Sequence, residues 1–289
     1  MATSVAQGFN ELRAGFDLTD LQDDFAKTKI QNIREFMGKH FEMAHSPISV
    51  GSYARKTIIR VERDVDIVAP LDYPTYKDRY DNYSSAFLYM VRDALNEEFG
   101  STTVSSKKVA VKLDFSTFAV DVVPCFNRSG GGYFMPNGNG GWMATNPPFH
   151  TEFMRLANIS HDYKLKVLVK LMKFWNIANG HHLSSLHVEL MTEKIWRNSD
   201  FEENLYSYLV AETLRCMESW TRSSFADPWE SGNAIDVQLS SDERDMAVRM
   251  LNEDAENARK AEEFRKNGQI EKAFERWGVI YHHQFPAYG

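Results

Sequence analysis

From Phe16 to Met43 apolar side chains recur at helical spacing. Leu18, Leu21, Phe25, Ile30, Ile33, Met37 and Phe41 share one side, which predicts a long helix capped by Asp17 or Thr19. Ser46-Pro47 breaks it. The period then shortens to two, and Val61–Leu71 reads as a strand ended by Pro70 and Pro74. Tyr80–Phe99 returns to helical spacing and stops at Gly100. Lys108–Pro124 reads as a hairpin. Its first arm alternates Val109, Val111, Leu113 and Phe115 with Ala110, Lys112 and Asp114. Asn127–Pro148 is glycine-rich and shows little period beyond a short strand at 133–135. The boundary between two lobes is expected here, although Trp142 is unusual in a mere linker. Only helices are expected beyond it: 150–157, 162–177, one opening at Ser184, 201–221, 240–266 and 270–277.

Candidate chemistry stands out against this pattern. Side chains alternate along a strand, so Asp64 and Asp66 share a face, while Val65 and Ile67 share the other. Neighbouring carboxylates repel, and hard oxygens at this spacing suit Mg²⁺. The Gly51-Ser52 turn just upstream can turn backbone N–H groups toward phosphate oxygens. Asp121 sits inside the otherwise apolar run Phe118-Ala119-Val120-Asp121-Val122-Val123, where a carboxylate is costly unless something binds it. The 162–177 helix is apolar around more than half its girth, with a stripe of Lys166, Lys170 and Lys173 that suits a polyanion such as a triphosphate. Ser184 is a good N-cap, and a hydroxyl beside free helix N–H groups can hold a phosphate. The final His282-His283 pair carries no weight.

Composition narrows the field. A chain of 289 residues with 43% hydrophobic content can bury a large core. Cys125 and Cys216 are isolated in apolar settings, so neither a disulfide framework nor a zinc cluster is expected. No apolar run reaches membrane-spanning length and no leader pattern opens the chain, so a cytoplasmic setting without membrane contact is expected. The net charge of −7 argues against a surface that attracts nucleic acid as a whole.

Gly-Ser, then Asp-x-Asp on a strand, then one Asp on a later strand resembles the signature of the DNA polymerase β-like nucleotidyltransferases. Within that superfamily the chain is similar to the bacterial cGAS/DncV-like nucleotidyltransferases, the CD-NTases. Gly51-Ser52-Tyr53-Ala54-Arg55-Lys56-Thr57, Lys170-Leu171-Met172-Lys173 and Leu183-Ser184-Ser185-Leu186-His187-Val188 carry the resemblance.

It implies an α+β, bilobal fold: a mixed-sheet catalytic lobe at 1–147, a helical lobe at 148–289, and an N-terminal helix spanning both. It implies that Asp64, Asp66 and Asp121 hold two Mg²⁺ ions, with Mn²⁺ as a substitute, and do the catalysis. Gly51, Ser52, Lys170, Lys173, Ser184 and Ser185 would bind the donor nucleotide. The implied activity converts NTPs into a cyclic di- or trinucleotide second messenger in antiphage signalling, read by an effector encoded nearby. A template-independent RNA nucleotidyltransferase and a non-catalytic nucleotide-binding regulator are the alternatives. Two isolated cysteines cannot build the zinc insertion with which the animal relative senses DNA, so no DNA activator is expected. Leu186 replaces that relative's base-stacking aromatic. Bases, linkage, trigger and oligomeric state are not readable, and Asn158, Tyr163 and His187 are unranked candidates for the base-binding walls.

Overall fold

The computed structural model describes residues 2–230, 233–237 and 239–289. They divide into two compact units, one of residues 18–153 and one of residues 2–17 with the described part of 154–289. The chain therefore changes unit twice, near 17/18 and near 153/154, where the sequence suggested one boundary at 147/148.

The first unit is built on a sheet. Its strands are β1 (Ile48–Val50), β2 (Asp64–Pro70), β3 (Thr103–Ser106), β4 (Val111–Asp114), β5 (Ala119–Asn127), β6 (Tyr133–Pro136) and β7 (Trp142–Thr145). They run in the order β1-β2-β5-β4-β3, with β6 added to β5 and β7 to β6. Among these described strands only β2 and β5 pair in parallel. That geometry requires a long crossover, supplied by α4 (Tyr73–Tyr80), α5 (Ser84–Glu98) and the β3–β4 hairpin. α2 (Asp20–His40) is capped by Thr19, whose side chain exchanges hydrogen bonds with Gln22. α2 sends Ala26, Ile30, Ile33 and Met37 into a core with Phe87, Val91 and Leu95 of α5, and with Val65, Ile67, Val120 and Val122 of the sheet. The odd-numbered residues of β2 and the even-numbered residues of β5 thus face this core. Asp64, Asp66 and Asp121 are left on the opposite face, where Val50, Val68, Cys125 and Tyr133 form a smaller cluster.

The glycine-rich stretch is not a linker. It folds into the β6–β7 hairpin, and Trp142 pins it down. The Trp142 Nε1–H donates to the Asp81 carbonyl at 2.7 Å. Its ring packs on Phe126 and Phe87 with centroids 4.9 and 5.5 Å away. Trp142→Ala removes both contacts and is expected to lower the unit's stability by about 3 kcal/mol. Urea denaturation followed by fluorescence would measure this, and an unchanged midpoint would contradict the anchoring role.

The second unit is helical. It holds α1 (Val5–Ala14), the later part of α6 (Pro147–Ser160), α7 (Leu165–Ala178), α8 (Ser185–Arg197), α9 (Tyr206–Thr221), α10 (Ser241–Lys266) and α11 (Ile270–Ile280). The N-terminal segment serves both units, α1 in this one and α2 in the other. α1 is anchored by Phe9, whose ring lies 4.8 Å from Trp277 and 5.1 Å from Phe285, centroid to centroid. Among the described residues no helix is long and apolar enough to cross a membrane.

Candidate active site

The aspartates are brought together by strand register. Asp66 on β2 stands directly opposite Asp121 on β5. Val50 on β1 is opposite Asp66, and Lys112 on β4 is opposite Asp121. Residues in register share a face, so Val50, Asp66, Asp121 and Lys112 form one row across four strands, each about 4.8 Å from the next. Asp64 joins from two residues upstream on the same face of β2.

Immediately after Val50 the chain turns into α3 (Gly51–Arg55), a single short helix. Gly51 adopts φ +66°, a left-handed conformation that favours glycine. A Cβ there would lie 1.8 Å from Asp66 Oδ2, so the missing side chain is what leaves room for the carboxylate. The turn is closed by Thr57 and Ile58, whose amides donate to the Ser52 carbonyl at 2.9 and 3.1 Å. It is tied to α2 by the Tyr53 hydroxyl, which donates to Asp23 Oδ1 at 2.6 Å. Ser52 is buried within this turn.

The electrostatics follow from the row. Burial pushes Asp66 up to about 6, the charge of Asp121 adds to the shift, and Arg55 opposes it. Asp121 is only 9% exposed. Burial raises its pKa too, against a hydrogen bond from Lys107. Lys107 Nζ donates to Asp121 Oδ2 at 2.9 Å, and Lys112 Nζ donates to Asp64 Oδ1 at 3.2 Å. Asp121 Oδ1 is buried without a hydrogen-bond partner. Sequence reasoning overlooked the two lysines. The signal was there for Lys112, since the two-residue period places it across from Asp121 on the hairpin.

The remaining expected site residues belong to the helical unit. Lys170 and Lys173 lie on α7. Lys170 forms an ion pair with Asp17. Lys173 is 1% exposed, with its ammonium 3.6 Å from Glu189 Oε1, itself fully buried. Ser184 caps α8 by accepting from the His187 amide at 3.3 Å, and Ser185 is the first residue of that helix. Burial drives the imidazole of His187 down to about 4, so it is neutral at physiological pH. Removing one partner of a buried ion pair leaves the other charge less compensated. Glu189→Ala should therefore cost about 3 kcal/mol of stability. Glu189→Gln, which keeps a hydrogen-bonding oxygen, should cost less. Equal chemical-denaturation midpoints for wild type and Glu189→Ala would rule out this role for the pair.

Comparison with known proteins adds to this geometry. Residues 3–158 match the family described as "Second Messenger Oligonucleotide or Dinucleotide Synthetase domain". A "Cyclic AMP-AMP-AMP synthase" from an Acinetobacter species is 27% identical over 253 residues, which cover 82% of this chain and 71% of the relative. The structure of E. coli CdnC with ATP superposes with a TM-score of 0.76 at 16% identity, covering 98% of this chain and 99% of that one. Vibrio cholerae DncV, a cyclic AMP-GMP synthase in complex with the linear intermediate 5′ pppA(3′,5′)pG, superposes with a TM-score of 0.74 at 12% identity, covering 99% and 97%. At these identities the two superpositions speak for the bilobal polymerase β-like fold.

Proposed function

The chain belongs to the second messenger oligonucleotide or dinucleotide synthetase family, the bacterial CD-NTases, and on that premise we propose that it joins NTPs into a cyclic di- or trinucleotide and releases pyrophosphate. The observation that carries this reading is the register row that sets Asp66 beside Asp121, under a turn whose Gly51 has no room for a side chain.

A ribose hydroxyl of one nucleotide would attack the α-phosphorus of another. The new P–O bond forms as the bond to pyrophosphate breaks, and the hydroxyl proton leaves with Asp121 as its acceptor or orienter. The last attack of the same kind, by the free hydroxyl of the linear intermediate on its own 5′ α-phosphorus, expels a further pyrophosphate and closes the ring. The residues suit divalent ions: they offer hard carboxylate oxygens, and Asp121 Oδ1 is buried with a free lone pair. Asp64, Asp66 and Asp121 would hold them. Two Mg²⁺ or Mn²⁺ ions would lower the pKa of the attacking hydroxyl and neutralise charge on the triphosphate.

The amide and hydroxyl groups of Gly51 and Ser52 would orient the β- and γ-phosphates. Lys170, Ser184 and Ser185 are the helical-unit residues that the resemblance assigns to the donor triphosphate, whereas Lys173, 1% exposed beside the fully buried Glu189, is engaged in that ion pair. The product would signal to an effector protein encoded nearby in antiphage defence, as the resemblance implies.

The test is incubation of the pure chain with radiolabelled NTPs and Mg²⁺, with and without RNA. A small, phosphatase-resistant product supports the reading. Lengthened RNA would instead identify a template-independent RNA nucleotidyltransferase. An absence of Mg²⁺-dependent NTP turnover, with and without RNA, would favour a nucleotide-binding regulator.

A further inference from the structure

We propose that Lys107 and Lys112 are resident counter-cations of the aspartate row, which hold divalent metal off until a nucleotide arrives. The inference rests on the reading of Asp64, Asp66 and Asp121 as metal-holding residues.

Two lysines of one hairpin reach two different carboxylates. Lys107 follows β3 and pairs with Asp121, while Lys112 lies on β4 and reaches past Asp121 to Asp64. Their side chains keep 44% and 24% of their exposure, so both ammoniums can swing back to water without breaking core packing. The pairing leaves Asp121 half-satisfied. Asp121 gives Oδ2 to Lys107 and keeps a buried, unpartnered Oδ1. Among the described residues no three His, Cys, Asp or Glu side chains are gathered closely enough to hold a metal ion as they stand.

The consequence is competition. A hydrated divalent ion entering alone must displace two ammoniums or sit beside them, and like charges a few ångströms apart repel strongly even at an effective dielectric near 20. An ion entering with a triphosphate brings the anion onto which the displaced ammoniums can move. Nucleotide should therefore raise metal affinity, and metal should raise nucleotide affinity by the same factor. A resting site kept free of bare metal would be protected from loading without substrate.

The experiment is titration of the full chain with Mn²⁺, counting free ion by its electron paramagnetic resonance signal, with and without a non-hydrolysable ATP analogue. Wild type should bind Mn²⁺ weakly alone and at least about ten-fold more tightly with the analogue. Lys107→Met with Lys112→Met, which keeps the stems and removes the charges, should bind Mn²⁺ alone about ten-fold more tightly than wild type and gain little from the analogue. Lys107→Arg with Lys112→Arg should behave like wild type. The single Lys107→Met variant, at the more exposed site, should move part of the way and guards against misfolding of the double variant. Unchanged or weaker Mn²⁺ affinity in both Met variants, in a site that Asp121→Asn abolishes, overturns the proposal and leaves the metal reading standing. Mn²⁺ binding by wild type that Asp121→Asn leaves intact overturns the metal reading and the proposal together.

Discussion

Asp66→Asn is expected to lose cyclic product by at least about 10³-fold while gaining stability at neutral pH. The loss follows from charge. A carboxylate that holds a catalytic metal supports several kcal/mol of transition-state stabilisation, and each 1.4 kcal/mol is about ten-fold in rate. The gain follows from burial. Asp66 is pushed up to about 6 by desolvation first and by Asp121 second. Its folded-state pKa thus lies above its unfolded one, and the folded chain holds the proton more tightly. The stability this contributes is fully present below about pH 4 and is lost as pH rises through about 6. At pH 7.5 the ionised side chain therefore carries a penalty on the order of 3 kcal/mol, which a neutral asparagine of the same shape removes. Urea denaturation of both proteins at pH 4.5 and 7.5 should show the variant's advantage widening with pH. A variant less stable than wild type at pH 7.5 would contradict this account of the carboxylate's surroundings.

The second large effect is expected at Gly51. An alanine Cβ would fall 1.8 Å from Asp66 Oδ2 and 2.7 Å from its Cγ, and the backbone φ of +66° disfavours any side chain. Asp66 must rotate away or the turn must shift. Gly51→Ala should therefore reduce turnover on the order of 10²-fold through misplacement of one carboxylate. The left-handed backbone alone adds about 1 kcal/mol of destabilisation. Adding Asp66→Ala removes the carboxylate collision and leaves the backbone strain and a milder 3.0 Å approach to the Cβ of residue 66. The stability loss caused by Gly51→Ala should then be smaller in the Asp66→Ala background than in wild type. Equal losses in both backgrounds would show that the close approach of Gly51 to Asp66 does not matter.

Much of this site could be read from the chain because its signals are local. Asp64 and Asp66 announce themselves by strand alternation, Asp121 by its isolation among valines, and Gly51 by the turn it opens. What escaped is non-local. α1 is absent from the elements predicted above, because the partners that make Phe9 a core residue, Trp277 and Phe285, lie at the far end of the sequence. β1 is three residues long and exists through its pairing with β2. Of the β6–β7 hairpin only the short strand at 133–135 and Trp142 were legible, because its glycines blur the rest of the period. Lys173 was read from its stripe as facing a polyanion. Its fully buried neighbour Glu189 sits on another helix, and no spacing along the chain could have announced it.

Carboxylates from two parallel strands, acting as one metal-holding group, underlie the proposed activity, and Asp121 is the member that links them. The most direct measurement is mass spectrometry of the products formed from all four NTPs with Mg²⁺ by wild type and by Asp121→Asn, with circular dichroism confirming equal folding. Wild type should yield a phosphatase-resistant cyclic oligonucleotide and Asp121→Asn none above background. A folded Asp121→Asn protein that makes the same product at the wild-type rate would contradict the account.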